Sequence, residues 1–298
     1  MRKGCARVHI RKVKRFVMWR KTYINTMKNI FRSASFWLLL LILVITAISG
    51  AVGGYYVGDD EAGTILSHND YIQVITNSLI STLAFTALPF FSIIITVLVI
   101  NRDYGDDFFE IEKAAGVNYL KYLLGRLAAI ISIVAVVTVI THALCLQLYL
   151  YTRGGVPYLD KWGYVGDSII RMLRADFCVM IPSLIFYVTL TYFLGTIFKK
   201  GIHAAISTSI YLLSYYVTFT RFRFRFTGDI ITNYFDYFSP LPWKLRMYFQ
   251  DFESEWHEYT IYMADTSLND AIFCVLFLAA ASIAFSVISY LRIHKRTT

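Results

Sequence analysis

Residues 101–126 read NRDYGDDFFEIEKAAGVNYLKYLLGR, a charged, well-capped stretch between two long apolar runs. Asp107 with Glu110 has the spacing of a capping box, in which side chains at the start of a helix satisfy backbone donors that have no intrahelical partner. Asp106 and Asp107 complement the positive end of the helix dipole, Lys113 sits near its negative end, and Gly116 supplies a left-handed C-cap. The spacing predicts a short helix over about 106–116, and Asn118 is placed to cap the helix that follows. Phe108, Phe109, Ile111, Ala114 and Ala115 give the short helix an apolar side for the rest of the chain or for a partner. An ordinary solvated connection is the plainer alternative.

The sequence on either side of this stretch is built for lipid. Of 298 residues 57% are hydrophobic and 17% aromatic, with a mean hydropathy of +0.53, too apolar for a soluble globule of this length. A hydrocarbon core of roughly 30 Å takes about 20 helical residues. Six runs qualify, at about 35–58, 71–100, 121–150, 169–198, 202–222 and 269–292. The expected fold is therefore an all-α integral membrane protein with six transmembrane helices. Pro89 and Pro182 fall inside the second and fourth runs and predict kinks there. Cys145, Cys178 and Cys274 lie in apolar runs and read, apart from the more polar Cys5, as small buried hydrophobes rather than a disulfide or metal framework.

Basic residues are retained on the cytoplasmic side of a membrane. With the N-terminus inside, 20 of the 29 Lys and Arg fall on the inner side, and the first outer loop carries Asp59, Asp60, Glu61 and Asp70 with no cation. Both termini are expected in the cytoplasm, in a plasma-membrane protein. No cleavage pattern of small residues follows the first apolar run, so residues 1–34 read as an anchor rather than a secretory signal. Val13, Phe16, Val17, Ile24, Met27 and Ile30 recur at helical spacing, and Trp19 broadens that face; Arg11, Lys12, Lys14, Arg15, Arg20 and Lys21 occupy most other positions. Such a helix lies flat on an anionic leaflet. A basic tail serving only to orient the chain is the simpler reading.

Residues 223–268 form the longest outer connection, dense in aromatics and cations that suit the headgroup level, with Pro240, Pro242 and Trp243 at its centre. Charges within the apolar runs are scarce. Hydroxyls and amides such as Thr86, Thr138, Gln147 and Thr208 read as helix-to-helix contacts, and a path this poor in fixed charge suits an amphipathic cargo better than a small ion. No phosphate-binding Gly-x-x-x-x-Gly-Lys-Ser/Thr, no His-Glu-x-x-His and no Gly-x-Ser-x-Gly occurs, so the chain is not expected to be an enzyme or to hold a cofactor or metal.

The order of basic N-terminal helix, six spans, a short charged helix between spans two and three and a long outer loop before span six resembles the type-2 ABC-transporter permease family. Arg102-Asp103, Gly105, Glu110 and Gly125-Arg126 stand where that family carries Arg-Glu, a Gly, a further acid and a basic residue leading into span three. The chain departs from the pattern in Asp103 for the usual Glu, and in Ala114-Ala115-Gly116 where a Pro often stands. The run from Glu110 to Gly116 is also similar to the loop of permeases related to cell-division and macrolide-efflux ABC proteins. Those have four spans and a large outer domain after the first, against a loop of about a dozen residues here.

The resemblance implies that 106–116 is a coupling helix docking on a separate ATPase through Arg102, Asp103, Asp106, Asp107, Phe108, Phe109, Glu110 and Lys113. It implies also that residues 1–34 are a connecting helix, that 35–298 form the permease domain, and that the outer loop is partly helical and closes the outer mouth, with its break around Pro240 and Pro242. A second permease subunit and the bilayer are the other expected partners, and no nucleic acid. In this reading ATP-driven closure pushes the coupling helix and tilts spans one, two and five about a central seam. The alternative is a non-transporting scaffold or sensory subunit that binds a cytoplasmic partner through 101–126.

Overall fold

The computed structural model describes residues 19–57, 87–105, 118–152, 181–222 and 268–295, and within them every regular element is a helix. We number these α1 (Trp19–Arg32), α2 (Ala34–Val57), α3 (Leu88–Gly105), α4 (Tyr119–Thr152), α5 (Ile181–Phe198), α6 (Gly201–Phe222) and α7 (Leu268–Lys295). Each of α2 to α7 overlaps one of the six apolar runs read from the sequence, of which 71–86 and 169–180 lie outside the described residues. Three segments are long and apolar enough to cross a membrane: Tyr119–Thr141, Ile181–Phe198 and Val275–His294. Their 23, 18 and 20 residues span roughly 34, 27 and 30 Å at 1.5 Å per residue. A fourth is reached only if α1 and the start of α2, bent by 68°, are taken together. The described residues thus carry three or four such helices rather than six. Polar residues from Asn101 onward cut short the apolar part of α3, and the described apolar stretch of α6 is confined to Gly201–Leu213.

The exterior is unlike that of a soluble protein. Trp37, Leu38, Leu41, Ile42 and Ile45 of α2, Val136 and Ile140 of α4, Ile202, Ile206 and Ile210 of α6, and Leu276, Ile283 and Val287 of α7 are exposed. Ser92, Thr96, Thr138, Ser183, Thr191 and Thr208 are buried. An apolar exterior of this extent is stable against acyl chains, not against water. Most of the buried hydroxyls are satisfied within their own helices, as where Thr96 donates to the Ser92 carbonyl at 2.7 Å and Thr138 to Val134 at 2.8 Å. Thr191 does more: it donates to the Tyr187 carbonyl at 2.7 Å and lies 3.2 Å from the Thr208 hydroxyl on α6.

The central helix is α5, which packs against α3, α4, α6 and α7. One core cluster joins Leu88, Ile95 and Ile100 of α3 with Leu123, Leu127 and Ile130 of α4, Leu184, Val188 and Tyr192 of α5, and Ile30 and Phe36. A second fixes α7: Phe285 stacks on Phe193 at 5.3 Å and meets Phe186 edge-on at 5.8 Å. The predicted cap on α4 is present, with the Leu120 amide donating to Asn118 Oδ1 at 3.0 Å. Pro89 and Pro182 are each the second residue of the described helix, so any kink before them lies outside the described residues; Ser92 Oγ donates to the Pro89 carbonyl at 2.7 Å.

The turn between α5 and α6 is tight. Lys199 takes a left-handed φ of 58° as its amide closes on the Gly195 carbonyl at 2.9 Å. Asn101, at the end of α3, then accepts a hydrogen bond from the Gly201 amide at 3.0 Å and so caps α6 from another helix. Gly201 is required there, because a Cβ would collide with the Asn101 amide and with Val97. Asn101→Ala should cost about 1 kcal/mol of stability and Gly201→Ala about 1–3 kcal/mol, read as earlier thermal unfolding of the detergent-solubilised protein. A Gly201→Ala variant as stable as the parent would contradict the close approach.

Candidate functional site

The end of α3, the start of α4, the end of α5, the start of α6 and α1 all gather at one end of the bundle. Two charges are taken inside. Asp103 sits beyond Ile100, where the apolar run of α3 ends, and Arg126 sits two turns into α4. Their side chains are 0% and 2% exposed, and Arg126 Nη2 lies 2.8 Å from Asp103 Oδ1. Tyr122 and Arg126 are four residues apart on a helix and therefore share a face. The guanidinium carbon stands 4.8 Å from the Tyr122 ring centroid.

The polar groups around the pair are directed without conflict. Tyr122 donates its hydroxyl proton to Asp103 Oδ1 at 2.5 Å and accepts from Arg126 Nη2 at 2.8 Å. Tyr192 of α5 donates to the other carboxylate oxygen at 3.1 Å. On the far side of the guanidinium, Nη1 donates at 3.0 Å to Thr26 Oγ1 of α1, and Thr26 passes its own proton to the Thr22 carbonyl at 2.8 Å. The ion pair thus ties four helices. Burial pushes the Asp103 carboxyl above its ordinary range, while the Arg126 guanidinium, the hydroxyls of Tyr122 and Tyr192 and then Arg102 pull it back.

Helix α1 reaches the bundle with hydroxyls as well as with Ile30 of its apolar stripe. Thr22, Thr26 and Ile30, one turn apart, are buried, while Tyr23, Ile24 and Met27 are half-buried and Phe31 is exposed. Arg20, Lys21, Lys28 and Arg32 remain exposed on the other faces. The elbow after α1 is held by Trp37, whose indole donates to the Phe31 carbonyl at 2.8 Å, and by Phe36, edge-on to Phe31 at 5.1 Å and to Trp37 at 5.3 Å. Ser33 is the non-helical residue at the bend, its amide returning to the Ile30 carbonyl at 3.0 Å.

Of the residues expected to meet a partner, Arg102 is half-buried at the end of α3 and Asp103 faces inward, committed to Arg126. Asp106, Asp107, Phe108, Phe109, Glu110 and Lys113 lie outside the described residues, as do Arg11, Lys12, Lys14 and Arg15 of the anchor and Pro240, Pro242 and Trp243 of the outer loop. Trp19 is half-buried and stacks on Tyr23 at 5.7 Å; Arg20 and Lys21 face solvent. Sequence reasoning gave no role to Tyr122, Tyr192 or Thr26. The legible signal was an unlike pair of charges at the two roots of one connection, with a Tyr four residues before the Arg. Among the described residues no three His, Cys, Asp or Glu side chains group as metal ligands. The arrangement has the chemistry of a structural joint: a buried ion pair whose carboxylate oxygens and terminal guanidinium nitrogens meet side chains of α1, α4 and α5.

Removing one member of a buried pair strands the other charge, whereas replacing both with apolar residues of similar volume is close to neutral. Asp103→Leu and Arg126→Met should each destabilise by about 3–5 kcal/mol, and the double variant should recover most of that loss. Additive losses in thermal unfolding of the four proteins would show that the charges do not depend on each other.

Comparison with family models, with curated proteins and with solved structures returns no match to this chain.

Proposed function

We propose that this chain is the membrane-spanning permease subunit of an ATP-driven ABC exporter whose ATPase is a separate chain. It crosses the plasma membrane six times with both termini in the cytoplasm, and it works as a pair of permease subunits moving an amphipathic, lipid-like, peptide or drug-like cargo. The observation that carries this reading is the joint at the roots of the 106–117 connection. Asp103 leads into that connection and Arg126 follows it, and their contact holds both roots against α1 and α5. A connection built only to join two spans has no need of a buried ion pair at its base, while one that carries load does.

Further support comes from charge. Arg20, Lys21, Lys28, Arg32, Lys199 and Lys200 are exposed around this same end, which is the pattern of a cytoplasmic face. The acids and aromatics of 106–113 offer a partner both charge and apolar area. The exposed apolar flanks and internal hydroxyls suit a bundle whose outside meets lipid.

Purified alone, the chain should hydrolyse no ATP, and co-expression with an ATPase encoded beside it should yield a stable complex. Glu110→Lys puts a cation near the positive start of the predicted helix and breaks its capping box, each effect worth about 1 kcal/mol. Phe109→Asp would bury an unpaired charge at the contact. Both should prevent assembly or separate hydrolysis from transport while membrane insertion is retained. Wild-type complex yield and transport in both variants would remove the coupling role. ATP hydrolysis by the isolated chain would remove the whole assignment.

A further inference from the structure

Arg126 is shared between two jobs. One nitrogen of its guanidinium holds Asp103 and Tyr122, which join α3 to α4, and the other holds Thr26 of α1. The planar fork allows both at once, which a point charge such as a lysine ammonium does not. Steric fit supports the second job. At Gly125, next to Arg126, a Cβ would stand 3.2 Å from the side chain of Thr22 and 3.4 Å from the Trp19 carbonyl, so α1 lies directly on the backbone of α4. At its other end α1 turns through 68° at Ser33, where the Trp37 indole and Phe36 hold the bend.

We propose that Thr26 and Arg126 latch the N-terminal helix to the α3–α4 hairpin, so that α1 and both roots of the 106–117 connection move as one body about the Ser33 elbow. A displacement of the connection then reaches α1 without passing through the core of the bundle. The same coupling runs in reverse, from whatever surface α1 rests on to the connection. The latch does not depend on the identity of the partner that meets the connection, so it stands or falls separately from the exporter reading.

The test uses the full chain in phosphatidylcholine–phosphatidylglycerol nanodiscs, with Cys5→Ala, Cys145→Ala, Cys178→Ala and Cys274→Ala as background. Nitroxides at Lys28→Cys on α1 and Ile202→Cys on α6 report the latch by pulsed electron–electron distance measurement. A pair at Leu120→Cys and Ile202→Cys reports the bundle without α1. The parent should give one narrow distribution for each pair. Thr26→Val keeps the shape and removes the acceptor; losing a hydrogen bond to a charged group should raise the undocked population of α1 about tenfold, seen as a second distance for the first pair only. Thr26→Ser should restore the single distance. Arg126→Lys, which retains the cation for Asp103, should reproduce the Thr26→Val result. An unchanged first pair in both Thr26→Val and Arg126→Lys would overturn the latch, and so would equal broadening of the second pair, which would mean that the bundle loosens as a whole.

Discussion

The ion pair between Asp103 and Arg126 is the interaction on which the polar end of this molecule depends. Taking two charges out of water is costly, and the cost is offset only when every remaining donor and acceptor finds a partner in good geometry. Tyr122, Tyr192 and Thr26 meet both carboxylate oxygens and both terminal guanidinium nitrogens from α4, α5 and α1. Because each contributes from a different helix, the pair can be satisfied only when all four helices are in register. The interaction thus constrains assembly more than it adds to total stability, and α3 and α4 cannot slide past one another without stranding a charge.

Around this fixed point the bundle is held by weaker, more distributed means. Serine and threonine hydroxyls return to their own backbone carbonyls, which lets polar side chains enter the interior without demanding partners on other helices. Glycine does its work where a backbone comes close, at Gly125 beneath α1 and at Gly201 beneath Asn101. Aromatic contacts through Phe285 attach α7 to α5, leaving most of its other faces for the lipid. Such packing is consistent with helices that associate without a hydrophobic driving force between them.

A joint of this kind gives the charged connection a mechanical meaning. A helix set between two spans on flexible roots would absorb a push locally. Under the exporter proposal, Asp103 and Arg126, tied to each other and to α1 and α5, would pass a force applied to the connection on to those helices.

The sequence by itself determined the helical character of the described residues and the cap on α4 by Asn118, because periodicity, apolar length and capping chemistry are local properties of neighbouring residues. It showed also that α1 is amphipathic, but gave no role to Thr22 and Thr26, which join Ile30 and Met27 of the apolar stripe in docking α1 on the bundle. The resemblance gives Asp103 a part in docking a partner, and nothing local in the sequence marks it for burial. What turned it inward was Arg126 and Tyr192, brought to the same point by two other helices, α4 and α5. That choice belongs to tertiary structure, because the cost of burying a carboxylate is offset only by groups distant in sequence, and no pattern within one helix records which of them will be there.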